Sequence, residues 1–174
     1  MTRRALFCDR DGTMIRDVGY LRDPAQVEIL PGAVPALAEA TRRGFALVVV
    51  SNQSGVGRGL ISHDQFAAVD RRFRLAFAES GVALDGVYYC LHAPDEGCAC
   101  RKPKTGLIDE AARALVLDAR RSYLMGDKES DIAAGQAAGC RTVLFGATGS
   151  GSAASAVVPD ASISSWSEAV QVLV

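Results

Sequence analysis

The sequence predicts an α/β fold with a doubly wound parallel sheet, and three observations carry that prediction. Short β-rich apolar runs alternate with amphipathic helical patterns, glycines stand where helices should stop, and the apolar runs end in clusters of polar residues. The first run, "ALFC" at 5–8, stops at Asp9, Asp11, Gly12 and Thr13. "AVPALAEATRR" follows at 33–43 with helical spacing and ends at Gly44, a glycine placed as a helix terminator. "FALVVV" at 45–50 reads as a strand buried on both faces, and it runs into Ser51 and "NQSGVGRG". Ser62 and Gln65 form a capping box that opens the next helix, with Phe66, Val69, Phe73 and Ala76 as its core stripe and Gly81 as its stop. "GVYYC" at 86–90 is the third strand, and the basic "CRKPK" separates it from the next helix. "SYLMG" ends in Asp127 and Lys128, "DIAAGQAA" ends at Gly139, and "RTVLFG" closes the alternation. Beyond Phe145 a small, polar stretch leads to a last strand or helix around 166–174, for which little functional content is expected.

A chain of 174 residues with 49% hydrophobic content fills one core, so residues 1–174 are expected to form a single domain. Net charge −1, scattered basic residues and 6% aromatics leave no footprint for nucleic acid or an anionic membrane. Two arginines and four apolar residues before Asp9 make neither a signal peptide nor a span, so a cytoplasmic location is expected. A monomer with a small-molecule partner is the simplest expectation. In a reducing compartment Cys8 and Cys140 read as core thiols.

Ligands of open parallel sheets bind beyond the carboxyl ends of the strands, so the polar strand ends matter most. Asp9 and Asp11 lie two apart in an extended segment, which points both side chains to one side. A lone Asp-x-Asp is common in turns; joined by Ser51, Lys102 and Asp127 it matches the needs of phosphoryl transfer from a phosphomonoester. Mg²⁺ favours carboxylate and phosphate oxygens and neutralises charge that would repel an attacking carboxylate. One aspartate would act as nucleophile and the other as acid and then base.

The ordered set "DRDGT", a second strand ending in Ser51, Lys102 and "GDKESD" resembles the haloacid dehalogenase superfamily of aspartate-nucleophile phosphatases, over residues 5–146. The resemblance implies a Rossmann-like fold in its capless form, since no large insertion follows the first motif or the third strand. It implies Asp9 as nucleophile, Asp11 as acid and base, and Ser51 and Lys102 as stabilisers of the phosphoryl group. Mg²⁺ would be held by Asp9, by Asp11 through its backbone carbonyl, and by Asp127, with Asp131 orienting that shell.

Cys90, His92, Cys98 and Cys100 present three thiolates and one imidazole, a full tetrahedral shell for a structural Zn²⁺. Such a loop would fix Arg101 and Lys102 directly after its last ligand. Together with "CRKP" it narrows the resemblance to the branch of histidinol-phosphate and heptose-bisphosphate phosphatases. "DVGYL" and "SNQSGVGRG" favour the heptose side, implying removal of the 7-phosphate from D-glycero-D-manno-heptose 1,7-bisphosphate. Asp17, Gly19, Tyr20, Asn52, Gln53, Ser54, Arg101 and Lys128 would then contact the sugar bisphosphate, with Arg58 as a further anchor. The five-residue spacer in the cysteine loop is closer to the histidinol-phosphate enzymes, which stay open as an alternative. A DNA 3′-phosphatase and a non-catalytic binding module are the remaining classes; the intact aspartates and lysine argue against the module.

Overall fold

The computed structural model describes residues 2–146 and 157–173. Among them β1 (Arg4–Cys8), β2 (Phe45–Asn52), β3 (Gly86–Cys90), β4 (Tyr123–Gly126), β5 (Arg141–Phe145) and β6 (Ala161–Ile163) form one sheet in the order β3-β2-β1-β4-β5-β6. All of its pairings are parallel. The connections are α1 (Ala33–Arg42), a short α2 (Ser54–Gly57), α3 (His63–Glu79), α4 (Gly106–Leu115) and α5 (Glu129–Ala138), with α6 (Trp166–Val172) last. The sequence shows α2 only as a glycine-bearing loop.

Alternation along each strand divides the core between the two faces of the sheet. Leu6, Leu47 and Val49 join α1, α3 and α6 in one cluster. Ala5, Phe7, Ala46, Val48 and Val50 face α4 in the other. This is why "FALVVV" carries no polar residue: both of its faces are covered. Cys8 and Cys140 are buried thiols within these clusters. Ser62 and Gln65 make the capping box of α3, and Gly44, Gly81 and Gly139 all take positive φ after their helices. Phe66 departs from the expected stripe: it is half-buried and meets the Tyr89 ring edge-on at 5.0 Å, covering β3 rather than entering the core.

Residues 9–32 and 91–105 contain no folded insertion, only a 3-10 turn at Pro24–Gln26. The crevice above the strand ends therefore has no cap. The tail supplies both a strand and a helix, and Trp166 is wholly buried. No helix among the described residues is long and apolar enough to cross a membrane.

Candidate active site

The chain reverses strand order around β1, which has β2 on one side and β4 on the other, and the carboxyl ends of these three strands hold the predicted residues. Asp9 donates its backbone N–H to the Met125 carbonyl at 2.9 Å, which ties the end of β1 to β4. The turn that follows requires Gly12, at φ +82°. A Cβ there would come within 2.4 Å of Asp127 Oδ2, so only glycine lets "DRDGT" lie against the end of β4.

Asp9, Asp127 and Asp131 bring carboxylate oxygens within 4.8 Å of one another. Lys102 reaches into this group from the loop after β3: Nζ lies 2.8 Å from Asp9 Oδ1 and 2.6 Å from Asp131 Oδ1, and it donates to the Val50 carbonyl at 2.7 Å. Burial alone would discharge the ammonium, but Asp9 and Asp131 outweigh it and hold Lys102 above its ordinary pKa. Asp131 also accepts the Lys128 N–H at 3.0 Å, from the first turn of α5. Asp127 is pushed up to about 6 by burial and then by the Asp9 charge, and its Oδ1 is buried without a hydrogen-bond partner. A donor set of this kind, with an orphaned carboxylate oxygen and excess negative charge, fits a hard divalent cation.

Arg10, silent in the sequence, is 1% exposed. Its Nη2 lies 3.0 Å from Asp11 Oδ2 and donates to Gln53 Oε1 at 2.9 Å. Gln53 lines the cleft beside Asp11, and its Nε2 donates to Asp11 Oδ2 at 2.6 Å and to Ser51 Oγ at 3.1 Å. Burial raises the Asp11 pKa against the opposing pull of Arg10 and Gln53. Since Ser51 Oγ accepts from Gln53, its own proton can point toward a phosphoryl oxygen.

A cleft of about 350 Å³ opens beside Asp11, lined by Asp17, Gly19, Tyr20, Asn52, Gln53, Ser54 and Lys128 together with Gly55 and Ile61. Asn52 also clamps the lysine loop through its amide, with Nδ2 to the Lys102 carbonyl and Oδ1 from the Lys102 N–H, both at 3.0 Å. Arg101 does not line this cleft. It borders a second one of about 220 Å³ with Cys98, Lys102 and Lys104, and its Nη1 is buried without a partner. Arg58 caps α2 and is exposed outside both clefts.

Cys90, His92, Cys98 and Cys100 converge as the spacing suggested. Cys98 Sγ lies 3.6 Å from Cys90 Sγ and 3.5 Å from Cys100 Sγ. His92 Nδ1 lies 3.6 Å from Cys90 and 3.3 Å from Cys100. These separations approach the ~3.8 Å edge of a tetrahedron with ~2.3 Å metal–sulfur bonds. Without a cation the three thiols split: burial pushes Cys90 up to about 12 and also raises Cys100, while Cys98, slightly desolvated, is brought down to about 7 by the Arg101 N–H and its neighbouring cysteines.

The chain is similar to known proteins in both sequence and fold. A family model described as HAD-hydrolase-like matches residues 99–169. The D-glycero-beta-D-manno-heptose-1,7-bisphosphate 7-phosphatase of Pasteurella multocida is 38% identical over 153 residues, covering 84% of this chain and 83% of its own. The crystal structure of D,D-heptose 1,7-bisphosphate phosphatase from B. bronchiseptica, complexed with magnesium and phosphate, is 34% identical with a TM-score of 0.76 over 82% of this chain and 80% of that one. The corresponding phosphatase from Burkholderia thailandensis is 27% identical with a TM-score of 0.71, covering 98% and 99%. With the aspartate cluster, its lysine and the cysteine loop on a matching fold, the chain belongs to the haloacid dehalogenase-like phosphatases, in the group of the heptose-1,7-bisphosphate 7-phosphatases.

Proposed function

We propose that this phosphatase removes the 7-phosphate of D-glycero-beta-D-manno-heptose 1,7-bisphosphate and leaves the 1-phosphate in place. The observation that carries the reading is the cleft beside Asp11, whose polar lining from Asp17 to Tyr20, from Asn52 to Ser54 and at Lys128 adjoins the Asp9–Lys102 pair. Its volume of about 350 Å³ suits a small polar substrate rather than a duplex end.

In the mechanism Asp9 attacks the 7-phosphoryl group in line and forms an aspartyl-phosphate, while Asp11 gives its proton to the departing sugar oxygen. Asp11, now a carboxylate, takes a proton from water as that water attacks the phosphorus. Inorganic phosphate leaves and Asp9 is regenerated. Lys102 and Ser51 hold the phosphoryl oxygens through the charge redistribution. Mg²⁺ at Asp9, the Asp11 carbonyl and Asp127 would neutralise charge between nucleophile and phosphoryl group. Zn²⁺ at the cysteine loop would organise the backbone before Arg101 and Lys102 without entering the chemistry. Arg101 lies outside the cleft beside Asp11, with its Nη1 buried and unpaired one residue from Lys102, so as the candidate grip on the distal phosphate it would have to turn its guanidinium toward the bound substrate.

The test compares kcat/KM for the heptose bisphosphate, histidinol phosphate and a 3′-phosphorylated oligonucleotide. The bisphosphate is expected to turn over fastest. Arg101→Ala should cost it about 2–4 kcal/mol of transition-state binding, the loss typical of a charged hydrogen-bonding partner. Faster turnover of histidinol phosphate, or equal loss for a monophosphate, assigns the chain to the other side of the branch.

A further inference from the structure

At the amino end of the sheet, opposite the catalytic crevice, β1 and β5 begin with Arg4 and Arg141, β4 begins with Tyr123, and the 3-10 turn before β4 carries Arg120 and Arg121. These five residues line a cleft of about 230 Å³ with no carboxylate in its lining. Two of the arginines are held in place. Arg4 lies 4.0 Å over the Phe45 ring and donates from Nη2 to the Arg43 carbonyl at 2.8 Å. Arg141 donates from Nη1 to the Tyr123 hydroxyl at 2.9 Å. The Phe45 and Tyr123 rings meet edge-on at 5.8 Å, so the two guanidinium groups belong to one aromatic support.

Packing accounts for Arg4 and Arg141 but not for Arg120 and Arg121, which are both exposed. Arg141 also acts on the Asp160 carboxylate, so the positive charge that this concavity leaves facing solvent is chiefly that of Arg120 and Arg121, in a chain whose net charge is −1. Planar forks with fixed stems are the chemistry that takes phosphoryl oxygens two at a time. The geometry points to a second anion site here, for a small ligand bearing at least two phosphoryl charges, such as a diphosphate or a phosphorylated sugar. A five-residue strand separates it from the crevice by roughly 16 Å, so it is distinct from the site of hydrolysis.

The probe is inorganic pyrophosphate, titrated calorimetrically into the full chain in Mg²⁺-free, low-salt buffer, where Asp9, Asp127 and Asp131 repel anions from the crevice. Saturable binding is expected. Arg120→Ala/Arg121→Ala should weaken it at least ~10-fold, the loss of charged hydrogen bonds to phosphate. The control pair Arg71→Ala/Arg113→Ala removes the same charge from exposed positions elsewhere and should change it less than about twofold, since screened distant charges contribute little. Turnover of the heptose bisphosphate should be unchanged in the Arg120/Arg121 variant, which also shows that it folds. Fructose 1,6-bisphosphate in the same titration separates the two sources: tighter binding than pyrophosphate, lost in the same variant, assigns the cleft to sugar phosphates, and the reverse order assigns it to diphosphates. Equal weakening in the two double variants, or no saturable binding of either probe by the wild type, overturns the site.

Discussion

Lys102 shows how much one side chain decides. It neutralises Asp9 and Asp131 in a buried cluster whose other carboxylate, Asp127, meets only the half-exposed Lys128 at 4.0 Å. Lys102→Met should therefore abolish turnover and also destabilise the fold by roughly 3–5 kcal/mol, the scale for leaving buried charge uncompensated, measurable by urea unfolding. Asp9→Asn removes the proposed nucleophile at nearly constant volume. Activity should fall by three or more orders of magnitude, in the range seen for lost covalent catalysis, with the melting temperature retained. A residual rate above about a tenth is incompatible with a nucleophilic role. Asp127 carries the pH dependence. Its folded pKa of about 6 lies above the ordinary carboxyl value, so the stability it contributes is full below the unfolded pKa and is lost as pH rises through 6. Mg²⁺ competes with that proton. The metal should raise the melting temperature more at pH 8 than at pH 5, and equal shifts at the two values would place it elsewhere.

At the scale of elements, the cysteine loop and α2 are built against each other. Gly57 donates its N–H to the Leu91 carbonyl at 2.8 Å, and the Gln53 N–H reaches the Cys90 carbonyl at 2.7 Å. A Cβ on Gly57 would meet Ala93 N at 2.4 Å and Leu91 O at 2.6 Å, both backbone atoms that cannot turn aside. Gly57→Ala should cost about 1–3 kcal/mol, as overpacking does, and should loosen metal retention in the adjoining loop. One zinc per chain is the expected stoichiometry by elemental analysis. Strong chelation should lower both melting temperature and kcat, because the loop after the last cysteine delivers Lys102 to Asp9. Zinc-free protein in which Cys98→Ser behaves as wild type would remove the metal from the account.

Across the whole molecule, the end of the chain supports its beginning. Trp166 donates its indole N–H to the Thr13 carbonyl at 2.7 Å, spanning 153 residues to the motif that carries Asp9 and Asp11. Trp166→Phe keeps most of the ring packing and leaves that buried carbonyl unpaired. It should cost about 1–3 kcal/mol in denaturant unfolding, with kcat reduced more than KM is changed. Loss of stability with kcat untouched would restrict the tail to packing.

The strands and principal helices follow from local pattern, because an apolar run covered on both faces and a 3.6-residue stripe are properties of the chain itself. That Asp9, Asp11, Lys102 and Asp127 gather at the strand ends and that Cys90, His92, Cys98 and Cys100 converge was legible for the same reason: residue type and spacing carry it. What the tertiary structure decided are the relations between distant segments. Arg10 carries no signal in the sequence, and only the fold buries it against Asp11 and Gln53; Gln53 lines the cleft, and only the fold shows that its amide also holds Asp11. Arg101 shares a loop with Lys102 but faces a different cleft. Trp166 and the arginines of Arg4, Arg120, Arg121 and Arg141 acquire their surroundings only when strands far apart in the chain lie side by side. Spacing along the chain determines which groups share a short segment; which groups meet across segments depends on sheet order and packing, which no local pattern encodes.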